Sequence, residues 1–312
     1  MTEQCEQCSS MVKINIYDQV RINKLKSWLL FFIFVILISA LGVAFGFYVG
    51  SVAFGVALAV IIAVIYSIIA YYSGASMILK MTGARPVTKK EFPYLYHTVE
   101  GLALAAGIPT PKCYVIDDTA LNAFATGRDP EHAAITVTTG LLNVMNRQEL
   151  EGVIAHEMSH IKNFDIRMMM LAAVMVGIVT LISDFMLRSF LWGSHSRRDR
   201  RDSGQFGVIL IVVAVVLAIL APLVAQLIKL AISRKREFLA DANGALLTRY
   251  PPGLASALEK IKKDPDPLVD KANKATAHLF ISTPFRKTKG IMARAFSTHP
   301  DINERIRRLR SM

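Results

Sequence analysis

In 312 residues, 53% of side chains are apolar and 19% charged, and the charges gather between apolar stretches; this favours one soluble part with membrane spans over two soluble domains. A net charge of +12 would suit nucleic acid in a soluble chain, but basic flanks beside apolar spans suit an anionic bilayer surface, and no nucleic-acid partner is expected. Three cysteines, Cys5, Cys8 and Cys113, exclude a disulfide framework and put the soluble parts in a reducing compartment.

Residues 1–27 read as an N-terminal cytoplasmic segment. Its CEQC gives only half of a tetrahedral metal site and reads as a disordered terminus, with Met11 as an alternative start. No secretory leader is expected, because the first apolar run is too long for one and continues into a second. Residues 28–50 and 51–79 carry no charged side chain, and a tight turn is expected at Gly50–Ser51. Residues 28–79 thus form a helical hairpin, each arm long enough for about 30 Å of hydrocarbon.

Residues 80–167 form the first soluble part. Helical periodicity over 91–107 stops at a glycine. The runs 112–117, 122–127 and 133–138 are rich in β-branched or aromatic residues and read as successive strands. Helix returns over 147–165. A third apolar segment, 168–187, carries Asp184 near its far end, within reach of Arg188. Its marginal length leaves a buried core helix as the rival to a span. After a basic loop, 188–202, comes a fourth segment, 203–232, uncharged until Lys229 and kinked by Pro222, so that 168–232 makes a second hairpin. Residues 233–312 form the second soluble part, with helices expected over 237–248, 253–263 and 301–310.

Four spans leave 1–27, 80–167 and 233–312 on one side. That side carries Arg21, Lys24 and Lys26, then Lys80, Arg85, Lys89 and Lys90, then Arg234, Lys235 and Arg236. The positive-inside tendency assigns it to the cytoplasm, although HSRRDRR (195–201) is also basic and would lie outside. His97 and His132 read as structural and His195 as solvated. Almost no ionisable group lies within the spans, which argues against a transporter or channel.

The chemistry centres on HEMSH, 156–160. On a helix His156 and His160 stand one turn apart and project from one face, as two imidazoles sharing a zinc must. Glu157 points about 100° away, where its carboxylate can take the proton of a water activated beside the metal. Two exposed histidines on an ordinary helix are the bland alternative. Catalytic zinc takes three protein ligands, so a third is needed. SRKREFLADANGALL (233–247) places Glu237 and Asp241 one turn apart on another expected helix, where Ala240 and Ala242 allow close packing. A charged helix flank beside a membrane explains the same pair less specifically.

Taken together, paired spans, NAFATG, HEMSH before a span, EFLAD after the next, and STHP followed by ERI resemble the HtpX-type membrane zinc metallopeptidases, relatives of the CAAX prenyl endopeptidases. The resemblance covers most of the chain; four spans rather than seven favour the HtpX type over a CAAX-type processing enzyme. It implies an α+β zincin-like (gluzincin) catalytic domain, mostly helical, with Zn2+ held by His156, His160 and Glu237. It further implies Glu157 and His299 as catalytic residues, His299 stabilising the transition state. Asp241 would be a partner of a ligand histidine, and Arg305 an ordering residue. Asn122, Ala123, Phe124 and Ala125 would belong to an edge strand that binds an extended peptide. The expected activity is endopeptidase cleavage of misfolded or membrane-associated polypeptides at the cytoplasmic face of the cell membrane. A zinc-dependent scaffold that binds without cutting is the rival, and zinc binding alone gives Glu157 no task.

Spacing also explains why hydrolytic chemistry adjoins a span. His160 stands eight residues before Met168 and Glu237 five after Ile232, about 12 and 8 Å along a helix. Both halves of the site are then mounted at the membrane surface, wet enough for hydrolysis.

Overall fold

The computed structural model describes residues 16–175, 177–178, 234–264, 276, 279–281 and 300–312. Helices α1 (Ile16–Val49) and α2 (Val52–Met81) form the expected hairpin. Gly50 turns the chain at φ +81, a conformation that favours glycine, and the Ser51 hydroxyl accepts from the Phe54 N–H to cap α2. The arms touch backbone to backbone: a Cβ on Gly55 would lie 2.3 Å from the Gly42 carbonyl oxygen. Phe32, Ile36, Ile61 and Ile65 are each more than half exposed on the outer faces, a surface suited to hydrocarbon rather than water. Among the described residues, two helical stretches, Val20–Val43 and Val52–Met81, are long and apolar enough to cross a membrane. Helix α1 begins well before the apolar stretch, and its early part, with Asn23 and Ser27 buried, packs onto the rest of the protein.

A four-stranded sheet follows, with strands β1 (Arg85–Pro86), β2 (Lys112–Ile116), β3 (Ala123–Thr126) and β4 (Ala134–Thr138) in the order β1-β2-β4-β3. Strands β2 and β4 run parallel, while β1 and β3 are antiparallel to their neighbours. Three strands fall where the β-branched runs predict them. The two-residue β1, half of it proline, gives no periodic signal. Alternate strand residues face different layers. Cys113, Val115, Ala123, Ala125, Ile135 and Val137 join a core with helices α3 (Pro93–Ala106), α5 (Arg147–Lys162) and α8 (Pro251–Lys263). Ile116, Phe124 and Ala134 join a second core with the hairpin. The sheet therefore lies between the helical layer and the membrane hairpin, which is why every residue of β3 and β4 is buried.

Helix α4 (Thr139–Val144) leads from β4 towards α5. Helix α5 starts at a capping box: Asn146 accepts from the Glu149 N–H, and the Glu149 carboxylate accepts from the Asn146 N–H. The same carboxylate accepts from Ser256 Oγ and Lys260 Nζ, both at 2.6 Å, which ties α8 to the start of α5. Helix α5 stops at Lys162 rather than running to 165, because Phe164 adopts a left-handed φ of +60. One left-handed residue leaves no trace in apolar periodicity, and the direct helical run from His160 to Met168 is broken there. Helix α6 resumes at 165 and is described to 175. Its residues Met168, Met170 and Ala172 are fully buried, and Tyr66 donates its hydroxyl to the Val174 carbonyl at 3.0 Å, joining α6 to α2. The described start of the third apolar segment is thus a buried helix against the first hairpin. Its remainder with Asp184, Arg188, the basic loop with His195, the fourth segment, the N-terminal CEQC and Met11, and His299 all lie outside the described residues. Helices α7 (Arg234–Thr248) and α9 (Ile302–Arg310) complete the fold.

Candidate metal centre and active site

Helix α5 carries HEMSH on its buried side: His156, Glu157 and His160 are 1%, 2% and 4% exposed. Helix α7 crosses it closely, since a Cβ on Gly244 would lie 3.0 Å from the His156 nitrogen. Ala240 and Gly244, rather than Ala240 and Ala242, make this close face, with Glu237 and Asp241 on it. Small residues at the crossing let the α7 carboxylates reach the imidazoles.

His156 Nε2 and His160 Nε2 lie 3.2 Å apart. The Glu237 carboxylate stands 3.8 Å from the first and 3.6 Å from the second. Ligand atoms about 2.0–2.1 Å from one tetrahedral zinc lie roughly 3.3 Å from each other. The three side chains therefore fit a single small cation, and among the described residues they form the one such group.

Each imidazole is fixed from behind by a different carboxylate. His156 Nδ1 lies 3.0 Å from Asp241 Oδ1, and His160 Nδ1 lies 3.0 Å from Asp165 Oδ2. Both contacts leave Nε2 facing the cluster, as metal binding through that atom demands. Arg305 from α9 clamps the first arm: its Nε and Nη2 donate to the two Asp241 oxygens at 2.8 and 2.7 Å, and its Nη1 stands 3.6 Å from Glu237. A fully buried guanidinium is supportable only with such partners. The second arm is clamped by Asn23 and Arg236, whose side chains reach Asp165 Oδ1 at 2.7 and 3.4 Å.

These contacts set the protonation of the site. For Asp241, burial opposes ionisation, but the Arg305 charge and the His156 and Arg305 hydrogen bonds win and hold its carboxyl down to about 2. Burial likewise opposes a charged His160, yet the Asp165 hydrogen bond and the Glu237, Asp165 and Glu157 charges push it up to about 9. Neutral imidazole is the form that ligates a metal, so a cation and a proton compete for His160. Burial raises the Glu157 carboxyl above the ordinary glutamate range, against the charges of His156 and His160. That carboxylate also accepts from the Ala125 N–H, which links the HEMSH helix to β3.

Asn122, Ala123, Phe124 and Ala125 lie on or beside β3, whose one neighbouring strand among the described residues is β4. The backbone groups of Ala123 that face away from β4 are engaged. The Ala123 N–H donates to Asn122 Oδ1 at 3.1 Å, and the Ala123 carbonyl accepts from the Ile281 N–H at 2.9 Å. Phe280 packs edge-on against Phe124 with ring centroids 5.0 Å apart. The expected constellation of Glu157, His156, His160, Glu237, Asp241 and Arg305 is thus assembled at one place, with Asn122–Ala125 beside it. Asp165 and Asn23 were missed. An acid at the boundary between HEMSH and the third apolar run was the available signal for Asp165.

The sequence matches Peptidase family M48 over residues 89–312. Among curated proteins, a Protease HtpX homolog from Dictyoglomus thermophilum is 50% identical over 302 residues, covering 97% of this chain and 96% of that protein. Another, from Caldanaerobacter subterraneus, is 46% identical over 97% of this chain and 99% of its own. The crystal structure of S. mikatae Ste24p is similar at a TM-score of 0.47 and 18% identity, covering 95% of this chain and 66% of that one. A His-His-Glu group fitted to a metal, mounted beside an apolar hairpin in a chain with this match, has one family setting: the chain belongs to Peptidase family M48 and is a membrane-bound metallopeptidase.

Proposed function

We propose that the chain is a zinc endopeptidase of the cell membrane, with two helical hairpins and its active site on the cytoplasmic face. Its substrates are misfolded or membrane-associated polypeptides. The observation that carries the zinc reading is the spacing of His156 Nε2, His160 Nε2 and Glu237, 3.2 to 3.8 Å between partners. Two imidazoles and one carboxylate are a donor set that catalytic zinc takes, leaving a position for substrate and water. Bound there, zinc supplies Lewis acidity that polarises a peptide carbonyl and lowers the pKa of water to about 7.

The chain's own residues supply the rest. Glu157, buried with a raised pKa, takes the proton from the attacking water and returns it to the leaving amine. Asp241 and Asp165 hold the imidazoles, and Arg305 holds Asp241 and neutralises charge beside Glu237. His299, by resemblance, steadies the developing oxyanion. Strand β3 receives an extended peptide through backbone hydrogen bonds, which tolerate many side chains and suit a quality-control protease. Pairing at the Ala123 carbonyl displaces the Ile281 N–H that now bonds it. The cytoplasmic assignment rests on the basic residues flanking the spans.

Casein-type proteolysis by purified protein tests this reading. Cleavage should stop with a zinc chelator and return with added zinc. Glu157→Gln should keep its zinc and lose cleavage by about 10²- to 10⁴-fold; undiminished cleavage by that variant would remove Glu157 from the mechanism.

A further inference from the structure

The apolar hairpin does more than hold the catalytic residues near a bilayer. Asn23, in the early part of α1, is 1% exposed and reaches the turn between α5 and α6. Its Nδ2 donates to the Asn163 carbonyl at 2.9 Å and to Asp165 Oδ1 at 2.7 Å. Both partners are acceptors, so the amide can face them only with its nitrogen. The other Asp165 oxygen holds His160 Nδ1 at 3.0 Å. Between Asn163 and Asp165 stands Phe164, with its left-handed φ of +60. An L side chain keeps that conformation only where its surroundings enforce it. Lys24, next to Asn23, lies over the Phe164 ring at 4.6 Å. Consecutive residues of α1 therefore grip the turn that aims Asp165 at His160.

We propose that Asn23 is a positioning residue of the metal centre, through which the first apolar helix fixes His160 by way of Asp165. The inference rests on reading His160 as a zinc ligand. It makes the hairpin a component of the site: displacing α1 from the turn loosens Asp165, frees the His160 ring to rotate, and weakens the metal.

Full-length protein in detergent provides the test, by zinc affinity from chelator competition and by the visible spectrum of the cobalt-substituted form. Asn23→Ala should weaken zinc by about 10-fold, the lower end for loss of a group orienting a metal ligand, and shift the cobalt bands. The isosteric Asn23→Asp, which sets a second carboxylate against Asp165, should weaken it at least as much. Ser27→Ala serves as the control, because Ser27 is buried one turn along α1 and, among the described residues, its hydroxyl donates to the Asn23 carbonyl at 2.9 Å and not to Asp165 or the turn; zinc and spectrum should not change. Unchanged zinc affinity and cobalt bands in either folded Asn23 variant would overturn the inference, as would an equal loss in Ser27→Ala. His160→Ala separates the two levels. Undiminished zinc there would overturn the ligand assignment, whereas its loss beside unchanged Asn23 variants would overturn the positioning role alone.

Discussion

His156 and His160 sit one turn apart on the same helix, yet they are held by different parts of the protein. The His156 arm runs through Asp241 of α7 to Arg305 of α9. The His160 arm runs through Asp165 to Arg236 and to Asn23 of the apolar hairpin. The first arm is a closed ion pair of charged groups. The second joins one charged partner, Arg236, to a neutral amide, Asn23, at a turn that holds Phe164 in a left-handed conformation. The contrast sets an arm built between the helices α7 and α9 against one that also draws on the apolar hairpin.

Removing the end of the first arm should have the largest effect on stability. Arg305→Met leaves Asp241 buried without its guanidinium, and breaking such a pair costs about 3–5 kcal/mol. Chemical denaturation of the detergent-solubilised protein measures it; a loss below about 1 kcal/mol would mean that Asp241 finds another partner. Asp241→Asn and Asp165→Asn compare the arms directly. Each should weaken zinc by about 10- to 100-fold while retaining some cleavage. If only Asp241→Asn does so, the second arm is structural and the comparison fails.

The pH dependence distinguishes the arms by sign in metal-free protein. Asp241 has a folded pKa lowered to about 2, so its stabilisation is complete above the ordinary aspartate range and is lost as pH falls through 2. His160 has a folded pKa raised to about 9, so its stabilisation is complete below about 6.5 and is lost as pH rises through 9. Denaturation midpoints across this range should fall at both ends. Asp241→Asn should flatten the acid side, and Asp165→Asn the alkaline side.

The legibility of the two arms in the sequence differs for the same reason that they differ in structure. HEMSH and EFLAD are short helical patterns with i, i+4 spacing, so the residues that share a face can be counted off the chain. Asp241 came with Glu237. Arg305 lies far along the chain from Asp241 and was reached only by resemblance. Asp165 escaped because one left-handed residue, Phe164, breaks the helix and resets the phase; no periodic argument crosses it. Asn23 escaped because its partner lies 142 residues away and a single amide before an apolar run looks like a solvated flank. The hairpin turn at Gly50–Ser51 and three strands were legible from local chemistry. That the sheet would be covered on both faces was not, since β3 and β4 bury small and polar residues, including Thr126 and Thr136, alongside apolar ones.

The central claim is that His156, His160 and Glu237 are three ligands of one zinc, and metal content of purified Glu237→Gln tests it most directly. Elemental analysis should find about one zinc per wild-type chain and very little in the variant, because two imidazoles remain where catalytic zinc takes three protein ligands. Asp241→Asn, prepared in parallel, should retain more zinc than Glu237→Gln. Full zinc in Glu237→Gln together with loss in Asp241→Asn would contradict the account.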